Sequence, residues 1–170
     1  RAGLDRLGRL LKVSGPEVPG RVEGLLERID TLEGELDALR SQRRGELAIE
    51  LAGQAKEIGG TSLLVGSAPD LDANSLRQVA LGIRDRLGSP SVAVVGSIVA
   101  GKGSLIAVVT KDLVGAGVSA AEIISDAATE LGGGGSRDPE LAQAGGPHGD
   151  RLDDALDQAR DTAERLLGSL

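Results

Sequence analysis

"SVAVVGSIVAGKGSLIAVVT", residues 91–110, decides the fold. Two runs, 91–99 and 104–110, are rich in β-branched residues and are joined through Ala-Gly-Lys-Gly, which predicts an antiparallel hairpin. Neither run alternates polar with apolar residues. Continuously apolar strands are those covered on both faces, so the hairpin predicts a small mixed sheet flanked by helices, an α/β (α+β) fold.

Outward from the hairpin, further elements suit that sheet. Thr61–Val65 is a short apolar strand. Leu76, Val79, Ala80, Ile83 and Leu87 recur at helical spacing behind a cap at Asp72 or Asn74, and Gly88 ends the run. Past the hairpin, Ser119 and Glu122 have the spacing of a capping box. The helix they open carries Ile123, Ile124, Ala127, Ala128 and Leu131 on one face. A glycine-rich loop, "GGGGSRDPELAQAGG" (132–146), comes next, with Leu141–Ala144 as a strand-like run inside it. A last helix, from about 150 to 167, turns Leu152, Leu156, Ala159, Ala163, Leu166 and Leu167 inward.

The amino-terminal third has another period. Val22, Leu25, Ile29, Leu32, Leu36 and Leu39 are spaced 3, 4, 3, 4, 3, a heptad seam on one long helix from about 18 to about 55. Glycines at 24, 34, 45 and 53 each weaken that helix by about 1 kcal/mol relative to alanine, so something must pack on it. One candidate is Ala2–Lys12, whose Leu4, Leu7, Leu10 and Leu11 could fold back as a helical hairpin. The other is a second copy of the chain, which makes the seam a dimerisation surface. The breaker pair Gly59–Gly60 ends the helical period. Two subdomains are therefore expected: a helical, coiled-coil-like one over 1–57 and a globular one over 58–170.

Composition narrows the chemistry. The 170 residues include no Phe, Tyr, Trp, Met or Cys, so the core is built from Leu, Ile, Val and Ala. Without cysteine, and with one histidine, neither a disulfide nor a zinc site is expected. His148 lies among turn formers in "GGPHGD" and reads as a solvated loop residue. No nucleophile elbow, phosphate-binding P-loop or converging carboxylate pair is present, so no catalytic group or cofactor is expected. No apolar run nears the ~20 residues of a membrane span. The chain reads as soluble and cytoplasmic, and its start at Arg1 suggests a piece of something longer. The net charge of −7 disfavours nucleic acid on average. Its distribution is uneven: residues 77–111 carry Arg77, Arg84, Arg86, Lys102 and Lys111 against Asp85 alone.

The glycine stretch has two readings. One is slack linker. The other is a main-chain-lined hollow near position 135, in which glycine N–H groups turn outward to a phosphate or sugar. Gly132, Gly133, Gly134, Gly135, Ser136, Gly145 and Gly146 would form it, with Arg137 supplying charge and Gln143 an amide. Lacking aromatic side chains, it would read backbone and shape or cap an exposed tertiary pair.

"GKGSLIAVVTKDL" (101–113), followed by "GGGGSRDPELAQAGG", resembles the carboxy-terminal domain of alanyl-tRNA synthetases. There a strand ending in Ser/Thr-Lys-Asp-Leu precedes a glycine-rich loop ending in Ala-Gln-Ala-Gly-Gly. "VPGRVEGLLERIDTLEGEL" is similar to that family's helical connector. The family loop commonly reads Gly-Gly-Lys-Gly-Gly-Gly-Arg-Pro-Asp; here Gly134 stands for its lysine, Ser136 and Arg137 for two glycines, and Asp138 for its arginine. The resemblance implies a module without aminoacylation or editing chemistry in a parent alanine-tRNA ligase. It implies contact with the tRNA elbow, through Lys102, Lys111 and the loop residues named above, and a homodimer through the seam. Two alternatives stay open: a purely structural dimerisation domain with a vestigial loop, and the substrate-gripping domain of a DHH-type phosphoesterase.

Overall fold

The computed structural model describes residues 1–170. The helices are α1 (Ala2–Leu11), α2 (Val18–Ala52), α3 (Ala73–Leu87), α4 (Lys111–Gly115), α5 (Ala120–Glu130) and α6 (Leu152–Gly168). The strands are β1 (Lys56–Ile58), β2 (Thr61–Ser67), β3 (Ser91–Val99), β4 (Lys102–Val109), β5 (Gly134–Gly135) and β6 (Leu141–Gly146). The chain divides into two compact units, Arg1–Arg43 and Arg44–Leu170. This division falls inside α2, ahead of the boundary expected at 57. Its physical reason is burial: Leu47, Ala48 and Leu51, in the last turns of α2, are core residues of the second unit.

In the first unit, α1 ends at Lys12 in a left-handed conformation, with its N–H returned to Arg9 and Gly8. A 3-10 turn, Gly15–Glu17, leads into α2. The hairpin expected of α1 on the seam does not form. Val22, Ile29, Leu32, Leu36 and Leu39 are all exposed, as are Leu4, Leu7 and Leu10 of α1, and Leu25 is half-buried. Ten residues of α1, about 15 Å at 1.5 Å per residue, are also too few to cover a seam running from 22 to 39.

The second unit is a six-stranded mixed sheet in the order β1-β2-β3-β4-β6-β5. β2 and β3 run parallel, and every other neighbouring pair is antiparallel. The hairpin that decided the sequence reading is the centre of this sheet, in the register Val94↔Ala107 and Val95↔Ile106. Its residues alternate between two cores. Val92, Val94, Leu105, Ala107 and Val109 pack with α5 and α6, whereas Ala93, Val95, Ile106 and Val108 pack with α3 and the end of α2. Both faces are therefore covered along most of the hairpin, as continuous apolar runs require, and only its tip departs, where Ile98 and Val99 are exposed.

The starts of α3 and α5 are satisfied in different ways. The Asp72 carboxylate accepts the Ser75 N–H at 2.7 Å and caps α3. The capping box expected of Ser119 and Glu122 is not made by side chains. Instead the Ala120 N–H donates to the Pro139 carbonyl at 2.9 Å, so the loop after β5 satisfies the start of α5.

Candidate nucleic-acid interface

The glycine stretch is ordered backbone, not slack chain. Gly134 and Gly135 form the edge strand β5, paired with Gly145 and Ala144 of β6. Ser136 continues the pairing: its N–H donates to the Gln143 carbonyl at 2.8 Å, and its hydroxyl accepts the Gln143 N–H at 2.9 Å. The outward-turned donors expected of Gly132 and Gly133 are taken up within the chain, by the carbonyls of Thr129 and Ala128. Close approach of main chains explains two of the glycines. A Cβ on Gly133 would lie 1.8 Å from the Gly145 carbonyl oxygen, and one on Gly146 would lie 2.1 Å from that of Leu131.

Asp138, which stands where the resembling family has arginine, has a local role. Its carboxylate accepts the N–H groups of Glu140 (2.8 Å) and Leu141 (3.1 Å) and turns the chain into β6. The Leu141 and Glu140 N–H groups hold its pKa below the ordinary carboxylate value, with the charge of Arg77 adding to them. Asp112 is similar, its pKa lowered by Thr110 and then Ser89, whose hydroxyl donates to it at 2.8 Å. The Thr-Lys-Asp-Leu stretch thereby ties the end of β4 to the loop before β3.

Strand alternation sorts the expected site residues onto two faces. On one face, Lys102, Ser104 and Gly145, together with the main chain of Gly103 and Gly146 and with Pro147, line an open hollow of about 460 Å³ at the end of β4 and β6. Gln143 is opposite Ile106 in the register and so shares the face of Ser104 and Gly145. α3 lies over β3 and β4 on this side. On the other face, Gly133, Gly134, Gly135, Ser136 and Arg137 line a second hollow, about 220 Å³, against Ala121, Ser125, Ala128 and Thr129 of α5. Lys111 joins neither. It begins α4 beyond the far end of β4 from Lys102, about 30 Å of extended chain away at 3.4 Å per residue.

Sequence reasoning missed Ser104 and Pro147 on the first face and the small residues of α5 on the second. Alternation from Lys102 pointed to Ser104, and the i, i+4 spacing of Ala121, Ser125 and Thr129 pointed to one helix stripe. No group of three or more His, Cys, Asp or Glu side chains is placed to hold a metal ion. No helix is long and apolar enough to cross a membrane.

Comparison with known proteins follows this geometry. The family model described as "DHHA1 domain" matches residues 60–165. An alanine-tRNA ligase of Pelotomaculum thermopropionicum is 38% identical over 164 residues, covering 96% of this chain and 19% of the relative. That of Acidothermus cellulolyticus is 34% identical over 167 residues, with 97% and 19% covered. The chain thus spans about a fifth of the length of these relatives. Among solved structures, the C-Ala domain of the Aquifex aeolicus alanyl-tRNA synthetase matches with a TM-score of 0.56 and 25% identity, over 67% of this chain and 97% of that one.

Proposed function

The chain belongs to the DHHA1 domain family and corresponds to the carboxy-terminal, C-Ala region of alanine-tRNA ligases; from that premise we propose that it holds tRNA for such an enzyme and pairs two copies of it. The aminoacylation chemistry then belongs to the parent protein, and these residues bind without transforming.

One observation carries the RNA reading: the hollow that gathers Lys102, Ser104, Gly145, Gly146 and Pro147 beside Gln143. Part of its floor is main chain, because Gly145, opposite Ser104, presents no side chain on this face and lets a ribose or phosphate come close. Lys102 is an exposed cation at its rim, suited to a phosphate. Gly132–Ser136 act as the frame, since their packing against β6 sets where Gly145 and Gly146 sit. With no aromatic platform, recognition rests on backbone and shape, which suits the folded tRNA elbow.

The pairing reading rests on the seam. Five apolar side chains of α2 at heptad spacing are exposed, Leu39 by 63%, and no part of the first unit covers them. A second copy laid along α2 would cover them by knobs-into-holes packing.

Binding of alanine-specific tRNA at several salt concentrations tests the first reading. Wild type is expected to lose affinity as salt rises. Lys102→Ala should flatten the slope by about one unit, while Arg137→Ala, on the other face, should change affinity less than about twofold. Negligible, salt-insensitive binding by all three proteins would overturn the RNA reading and leave the structural one.

A further inference from the structure

The second hollow sits beside an unpaired sheet edge. β5 ends the strand order. Antiparallel partners alternate between bonded and non-bonded pairs. Ser136 bonds Gln143 through its N–H, so Gly135, opposite Ala144, turns its own N–H and C=O outward. Alongside this edge runs α5, whose groove-lining residues Ala121, Ser125 and Thr129 are small. Small side chains on the helix and none on Gly134 and Gly135 leave the groove open to another main chain. Arg137 is the only charged residue lining it, and it takes part in no salt bridge.

We propose that this groove between α5 and β5 receives an extended polypeptide segment carrying one acidic residue, which adds a strand to the sheet at Gly135 and sets its carboxylate on Arg137. Main-chain hydrogen bonds to a free edge supply affinity in such strand addition, and a pocket for one side chain supplies selectivity. Charge separates a peptide from RNA here. A nucleic-acid strand carries a phosphate at every step, but the groove has a single cation, and the next row of α5 carries the exposed carboxylates of Glu122 and Asp126. One carboxylate opposite one guanidinium matches that arrangement.

The test is an amide NMR titration of the 170-residue chain with three probes. These are a capped Val-Ala-Glu-Val-Ala peptide, its Val-Ala-Lys-Val-Ala counterpart and hexauridylate. The glutamate peptide is expected to shift the amides of Ser125, Gly135 and Arg137 and to slow hydrogen exchange at Gly135. It should bind about two- to fivefold more tightly than the lysine peptide, the range of an exposed ion pair. Arg137→Ala, an exposed replacement, should erase that preference while leaving protection at Gly135. Gly135→Pro, which removes an N–H turned away from the ladder, should weaken both peptides and abolish their shifts at Ser125 and Arg137. Failure of both peptides to protect Gly135 at millimolar concentration overturns the proposal. So does perturbation of these amides by hexauridylate alone, which would assign the groove to nucleic acid.

Discussion

Gly24 and Gly34 in α2 have nothing within 4 Å of where a Cβ would stand, whereas a Cβ on Gly133 at the sheet end would lie 1.8 Å from the Gly145 carbonyl oxygen. The same residue type thus does opposite things in two regions. Along α2 glycine only weakens a helix, and the seam beside it is unsatisfied. Beside β5 and β6 it permits main chain to pack on main chain. A glycine-rich stretch is therefore not evidence of mobility by itself. What its missing side chains would touch decides whether it is slack or jammed.

The contrast is broken most severely by filling the jammed positions. Gly133→Ala or Gly146→Ala should cost at least about 3 kcal/mol, at or beyond the upper range for overpacking, because the colliding atoms are backbone carbonyls. Urea denaturation would show a lowered midpoint, and a midpoint equal to wild type would refute the packing account. Next in size is the seam. Leu32→Glu with Leu36→Glu should weaken pairing at least a hundredfold, from two leucines worth about 1.5–3 kcal/mol each on burial. Sedimentation should shift from dimer to monomer. A wild type that already sediments as a monomer at high concentration would remove the pairing proposal.

A smaller change sharpens the other side. Gly24→Ala with Gly34→Ala lies at outer heptad positions, not on the seam, and meets open space. It should stabilise α2 by about 1 kcal/mol per site, read as increased helicity and a higher Tm with unchanged tRNA affinity. The smallest effect concerns acid. The folded pKa of Asp138 is depressed, so its contribution is present above the unfolded value and lost as pH falls through the folded one. Asp138→Asn should lessen the loss of stability below about pH 4 and leave neutral-pH RNA binding intact. An unaltered acid limb would contradict the role assigned to that carboxylate.

Much of the fold was legible because it rests on period. The hairpin, the stripe of α5 and the inward face of α6 are hydrophobic patterns, and the residues expected to be buried are so apart from half-buried Leu166 and exposed Ile98 and Val99 at the tip of the hairpin. The Ser119 capping box was not, since the partner that satisfies α5 is Pro139, brought near only by tertiary folding. The candidate site was legible in its residue types but not in its division. Lys102 and Arg137 both read as charge beside glycine, yet strand alternation and the edge position of β5 put them on opposite faces. That follows from pairing register, which a single sequence does not display when the strand is two glycines long.

The central claim is that tRNA settles on the sheet end beside Lys102. Amide chemical shifts mapped as alanine-specific tRNA is added to the 170-residue chain test it most directly. The account predicts perturbation at Lys102–Ser104, Gln143, Gly145 and Gly146, with Lys111 unaffected. Shifts confined to α1 and α2, or none at the sheet end under saturating tRNA, would contradict it.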